Sequence, residues 1–195
     1  MHVYATDSPE RRNITVYLAV MSIFIAIGLS KLPPLMGYVI PWWLDYPSVM
    51  GVFGILYGLF NGTIWKYNIF RRIDLIKVPN LSGKWEGTLL TSYDNHEQRH
   101  NVNVVIEQNW TEMCISLRAD HSESNSQASS LLVRQNNVPL LIYNYFDEPR
   151  GTATESMHSH RGTGVLKLIA SDELDGQYYT GRDRLTYGVL RLKKV

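Results

Sequence analysis

One cysteine in 195 residues leaves no intrachain disulfide to build. Cys114 lies in the alternating stretch 113–117, where a small buried or half-buried side chain suits the pattern better than a nucleophile. The missing disulfide framework fits a cytosolic domain. Catalytic signatures are also missing. There is no G-x-S-x-G and no P-loop, and no carboxylate pair that the sequence places together. The sequence therefore points to no catalytic residue, no cofactor and no enzyme. Basic charge is scarce in the C-terminal part, with twelve Lys or Arg against fourteen Asp or Glu from Pro79 onward. That balance excludes a binder of long nucleic acid, which needs a basic stripe.

Charge is absent altogether from residues 13–30 and from residues 46–65. About 20 apolar residues cross a bilayer's hydrocarbon core, so residues 14–30 and 46–65 are predicted as two transmembrane helices. Pro33 and Pro34 should stop the first. Trp42, Trp43 and Tyr46 suit a membrane–water interface. Arg11 and Arg12 precede the first span, and Lys66, Arg71, Arg72 and Lys77 follow the second, while the connecting loop carries only Lys31. The positive-inside rule then places the N-terminus and everything after the second helix in the cytoplasm. If the first span were instead a signal peptide cleaved near residues 26–28, the basic cluster would still hold the C-terminal domain inside. Small residues recur at four-residue spacing, as Ser22, Ala26 and Ser30 on one helix and Gly54, Gly58 and Gly62 on the other. Such faces let helices approach closely, either within the hairpin or between protomers.

After a short basic linker, residues 69–78, no stretch shows a helical period. Strands are predicted near 82–93, 101–108, 111–118, 130–134, 139–146, 162–170, 174–179 and 187–193. The expected architecture is two N-terminal transmembrane α-helices followed by an all-β domain, a compact antiparallel barrel of about eight strands. The domains divide as residues 1–77, hairpin and linker, and 78–195, barrel. Trp85 in the G-x-W-x-G opening reads as core.

Residues 96–100 spell H-E-Q-R-H, the H-E-x-x-H pattern of zinc proteases. In those enzymes a helix brings both histidines to one metal. Here turn residues precede and a strand follows, so a solvated hairpin loop without metal is expected. His158 and His160 alternate and read as a polar edge or loop.

One segment combines rings with fixed cations: residues 175–188, DGQYYTGRDRLTYG. Tyr178, Tyr179 and Tyr187 can stack on bases, Arg182 and Arg184 can fork onto phosphate oxygens, and Thr180 can donate a hydrogen bond. Read without other information, the segment is better taken as a tyrosine-rich hairpin with a charged tip. Two charge-free spans, the segment PNLSGKWEG (79–87) and the segment LDGQYYTGRDRLTYG (174–188) together resemble the two-transmembrane, β-strand-rich effectors of bacterial CBASS antiphage defence, the SMODS-associating partners of CD-NTase enzymes. The resemblance implies a barrel that binds a cyclic oligonucleotide, foremost a cyclic dinucleotide, made by the CD-NTase. It further implies homo-oligomerisation and disruption of the bacterial inner membrane, killing the infected cell. The alternative is a membrane-anchored, lipocalin-like carrier of a small apolar ligand.

Overall fold

The computed structural model describes residues 1–37, 49–120, 122–134, 138–149, 158–182 and 184–195. The expected interface residues Trp42, Trp43 and Tyr46 lie outside these. The chain forms two compact units, Pro9–Lys77 and Met1–Ser8 with Val78–Val195. The expected boundary near residue 78 thus has a counterpart at Ser8, because the first residues belong with the barrel.

In the first unit, α1 (Glu10–Leu35) carries the 22-residue apolar stretch Glu10–Lys31, long enough to cross a bilayer. It runs one residue past Pro34 instead of stopping at Pro33. Both prolines fall in the last turn, where their missing N–H groups cost only the final backbone bonds. The second helix, α2 (Val49–Gly62), has 14 residues, short of a full span. A 3-10 turn (Ile64–Lys66) and a short α3 (Asn68–Arg72) follow, so the expected linker is partly helical. Helix α1 packs on α2. Its contact side is a four-residue stripe: Ile14, Leu18, Ser22 and Ala26 are all buried. Phe24 on α1 and Met50 and Ile55 on α2 instead lie exposed, an apolar surface suited to lipid.

The second unit is a closed barrel of nine strands. They are β1 (His2–Thr6), β2 (Gly83–Thr91), β3 (His100–Gln108), β4 (Glu112–Arg118), β5 (Ser122–Leu132), β6 (Leu140–Pro149), β7 (His160–Ala170), β8 (Glu173–Thr180) and β9 (Tyr187–Lys194). From β2 to β9 every neighbour is antiparallel, and β2 closes on β9 through a register from Trp85↔Lys194 to Thr91↔Gly188. The ninth strand is the unexpected one. β4 and β5 pair only from Ser116↔Asn125 to Arg118↔Glu123. Where they part, β1 fills the gap, antiparallel to β4 and parallel to β5. The barrel is therefore mixed, with nine strands rather than about eight antiparallel ones.

Alternation sorts side chains along each strand. In β3, Val102, Val104, Ile106 and Gln108 face in, and the residues between them face out. One end of the barrel is filled with apolar bulk: Tyr4, Leu81, Trp85, Trp110 and Met113 are each 0–1% exposed. The Trp85 indole N–H donates to the Leu81 carbonyl at 2.9 Å, and the Tyr4 hydroxyl donates to the Trp110 carbonyl at 3.1 Å. Gln108 satisfies the same end: its Oε1 accepts from the Leu81 N–H at 2.7 Å. The opposite end is not filled.

Candidate functional site

That opposite end holds a cavity of about 320 Å3, at the small end of the ~300–1,000 Å3 usual for ligand sites. Three tyrosines, Tyr143 and Tyr145 on β6 and Tyr178 on β8, project into it. Glycines make the space for them. Tyr143 is paired across the sheet with Gly164, and Tyr145 with Gly162. A Cβ on Gly164 would lie 2.4 Å from the Tyr143 ring, and one on Gly162 would lie 2.3 Å from the Tyr145 ring. Each ring thus lies flat over a glycine where any other residue would push it away. The Tyr143 and Tyr145 ring centroids stand 5.9 Å apart at 43°. Burial pushes the Tyr143 and Tyr145 phenols far above their ordinary value, and raises Tyr178 less, because a hydrogen bond with Thr91 favours its charged form. All three stay neutral, able to donate and to stack.

Beyond the tyrosines the wall is polar. Asp147, two residues before the end of β6, faces His160 on β7 and Ser124 on β5 in register. Ser122 and Ser124 are buried on β5. Burial raises the Asp147 pKa, opposed by Ser122 and by the positive side of His160 and Arg184. Leu89, Leu117 and Leu190 give the cavity its apolar floor.

Arg184 stands at the mouth, half-buried, with its guanidinium 5.4 Å from the centre of the Tyr93 ring. A tight loop aims it. The Thr180 hydroxyl donates to the Thr186 carbonyl at 3.0 Å and accepts from the Thr186 N–H at 2.8 Å, closing the neck. Gly181 accepts at its carbonyl from the N–H groups of Arg184 and Leu185, both at 3.1 Å.

Of the six residues expected at a ligand site, Tyr178, Thr180 and Arg184 line this cavity. Tyr179 on β8 and Tyr187 on β9 lie on the outer face and are 53% and 61% exposed. Arg182 is exposed in the loop, away from the lining. The strand period explains the split, because adjacent residues on β8 point to opposite faces. Sequence reasoning missed Tyr143, Tyr145 and Asp147. The signal was present as the pair YNY (143–145) and GTG (162–164), two alternating segments whose rings and gaps match once β6 and β7 pair.

The H-E-Q-R-H segment is not a solvated tip throughout. His96 takes a left-handed backbone (φ 65°) beside Asn95 (φ 56°), and His100 begins β3 on its inward face. The His100 Nε2 is bonded to the Asp94 carboxylate at 2.7 Å and lines the cavity, while the His96 ring sits 5.6 Å from Tyr187. The two histidines are therefore not one turn apart on a helix. His158 and His160 do not share a face either: His158 is exposed before β7 and His160 is buried inside. Among the described residues no group of three or more His, Cys, Asp or Glu side chains gathers as for a metal.

Comparison with known proteins agrees with this layout. A family model described as Cap15, cyclic dinucleotide receptor domain, matches residues 76–194, and one described as Cap15, TM helices, matches residues 12–66. Neither describes a catalytic domain. A CD-NTase-associated protein 15 of Yersinia aleksiciae is 27% identical over 154 residues, covering 76% of this chain and 70% of that protein. Another of the same name from Staphylococcus schleiferi is 33% identical over 132 residues, covering 68% and 69%. The receptor model spans more than half the chain, and the helix model spans the apolar N-terminal unit. The chain belongs to the Cap15 family of CBASS effectors, membrane-associated through its N-terminal helices and carrying a cyclic dinucleotide receptor domain as its β-barrel.

Proposed function

We propose that the cavity at the open end of the barrel takes up a cyclic dinucleotide made by a partner CD-NTase. Binding then drives protomers together, and the assembled N-terminal helices disrupt the bacterial inner membrane in an abortive-infection response. The observation that carries this reading is the cavity's chemistry: three inward tyrosines at stacking positions and one guanidinium at the mouth. Bases stack on neutral rings, and phosphate oxygens take a planar cation. A carrier of apolar ligands is disfavoured, because such a ligand would cover Asp147 and Arg184 without pairing them.

Assembly is supported by the open side of α2. A Cβ on Gly54, Gly58 or Gly62 would meet nothing within 4 Å. On α1 the stripe is used differently: Ser22 and Ala26 are buried within the hairpin, and Ser30 bonds back to the Ala26 carbonyl at 2.9 Å. The α2 glycines are thus the surface offered to a second protomer. A ligand that binds the assembled state more tightly shifts the equilibrium by that difference in affinity. The basic residues at both ends of the helical unit favour a cytoplasmic N-terminus and barrel.

The test uses the full chain in detergent micelles and in vesicles. A cyclic dinucleotide at 100 times its dissociation constant adds about 2.7 kcal/mol to stability. The melting temperature should rise by several degrees, and vesicles loaded with dye should leak only when the ligand is added. No melting shift with any cyclic di- or trinucleotide would remove the receptor reading. A shift without leakage would remove the membrane step alone.

A further inference from the structure

Among the described residues, Asp147 is the one carboxylate that the cavity buries at its wall. Its side chain is 8% exposed, and its Oδ2 has no hydrogen-bond partner among the described residues. Ser122 bonds to the carboxyl group, but the histidine that could reach Oδ2 is engaged elsewhere. The His160 Nδ1 stands 3.7 Å from Oδ2 but 3.1 Å from the His158 carbonyl. A carbonyl only accepts, so Nδ1 carries its proton there and leaves Oδ2 free. Leaving a buried charged acceptor unmet is costly, so one at a cavity wall calls for a donor that enters the cavity. The upward pull of burial on the Asp147 carboxyl is the mark of that unmet cost.

The chemistry of the missing partner follows from the acceptor. An ionised carboxylate can only accept, with two oxygens side by side. Among the nucleobases, guanine alone presents two adjacent donors on its Watson–Crick edge, N1–H and the N2 amino group. Adenine presents one donor beside an acceptor, cytosine one donor beside two acceptors, and uracil one donor between two acceptors. A carboxylate therefore attracts guanine and repels the ring nitrogen of adenine. The tyrosines on β6 and β8 supply the stacking surface, and Arg184 at the mouth supplies the phosphate charge, so the carboxylate is left for the base.

We propose that Asp147 reads a guanine base, making this receptor selective for guanine-containing cyclic dinucleotides. The inference rests on the cavity being the ligand site. Isothermal titration of the full chain in detergent micelles with cyclic di-GMP, cyclic GMP–AMP, cyclic di-AMP and cyclic di-IMP tests it. The wild type should bind a guanine-containing ligand about tenfold or more tighter than cyclic di-AMP. Cyclic di-IMP, which lacks the amino group, should bind more weakly than cyclic di-GMP. Asp147→Asn offers one donor and one acceptor, so it should lose that preference while its affinity for cyclic di-AMP holds or improves. Wild-type indifference to the base, or a preference for adenine, overturns the proposal whether or not the variant folds. So does an Asp147→Asn protein that loses all ligands alike. If none of the four binds, the receptor reading falls as well, which separates that failure from a loss of base selectivity alone.

Discussion

Gly162→Ala is the smallest change that tests how the cavity is built. The new Cβ would lie 2.3 Å from the Tyr145 Cζ and Oη, and 2.8 Å from Cε1. Ordinary contact begins near 3.4 Å, so the ring must retreat by about 1 Å. It has little room to do so, because Tyr143 stands 5.9 Å away on one side. The cavity that the ring lines offers it an open direction. Overpacking of this kind costs about 1–3 kcal/mol. For a chain of this size that is a fall in melting temperature of roughly 2–12 °C. The displaced ring should also narrow the cavity and weaken cyclic dinucleotide binding. Replacing Tyr145 by Leu in the same protein should restore the melting temperature, though not the binding. A control sits in the other unit: Gly54→Ala adds a Cβ that meets nothing within 4 Å and should be neutral or slightly stabilising, since Ala is the better helix former. The assay is thermal melting followed by near-ultraviolet circular dichroism, with ligand titration alongside. A Gly162→Ala protein that melts at or above the wild-type temperature and binds normally would refute the account of the tyrosine–glycine pairing.

Arg184→Ala should weaken binding of a cyclic dinucleotide by about tenfold or more, the worth of a charge-assisted bond, and leave the melting temperature of the free protein nearly unchanged; Arg182→Ala, exposed in the same loop, should bind within a few-fold of wild type, and titration calorimetry separates the two. Asp147 titrates above its ordinary value in the fold, so it favours the folded state below the unfolded carboxylate range and loses that contribution as pH rises through its raised value. Melting temperature without ligand should therefore be lower at pH 7 than Asp147→Asn shows, and the gap between the two proteins should close toward pH 4; a gap independent of pH would contradict this. Tyr4→Ala opens the seam between β4 and β5 and removes a fully buried ring, at about 3–5 kcal/mol, so the barrel should lose most of its stability in a denaturant titration.

The fold class was legible because its two parts obey different periods. Runs without charge announce membrane helices, and the alternation of residues such as Val102, Val104 and Ile106 announces half-buried strands. The start of β5 was not legible for a physical reason. Its inward residues, Ser122, Ser124 and Ser126, are polar because they face a cavity or a hydrogen-bonded seam, so the hydrophobic alternation that marks a strand is absent. Ser126 shows the use of one such position: its hydroxyl accepts from the Ile115 N–H at 2.9 Å and meets the His2 ring at 2.8 Å.

Local pattern alone determined the apolar N-terminal helices, the all-β unit after them, and the absence of any recognisable catalytic motif. These follow from composition and from neighbours one to four residues apart. Tertiary structure decided the rest. It set β1 between β4 and β5, a pairing that joins residues more than 120 positions apart. It divided the tyrosines of 178–187 into one that faces the cavity and two that face outward. It brought Tyr143, Tyr145 and Asp147 of one strand to Gly162, Gly164 and His160 of the next. A residue's face follows from its own strand, but which faces meet, and whether a space is left between them, is fixed only when the sheet closes.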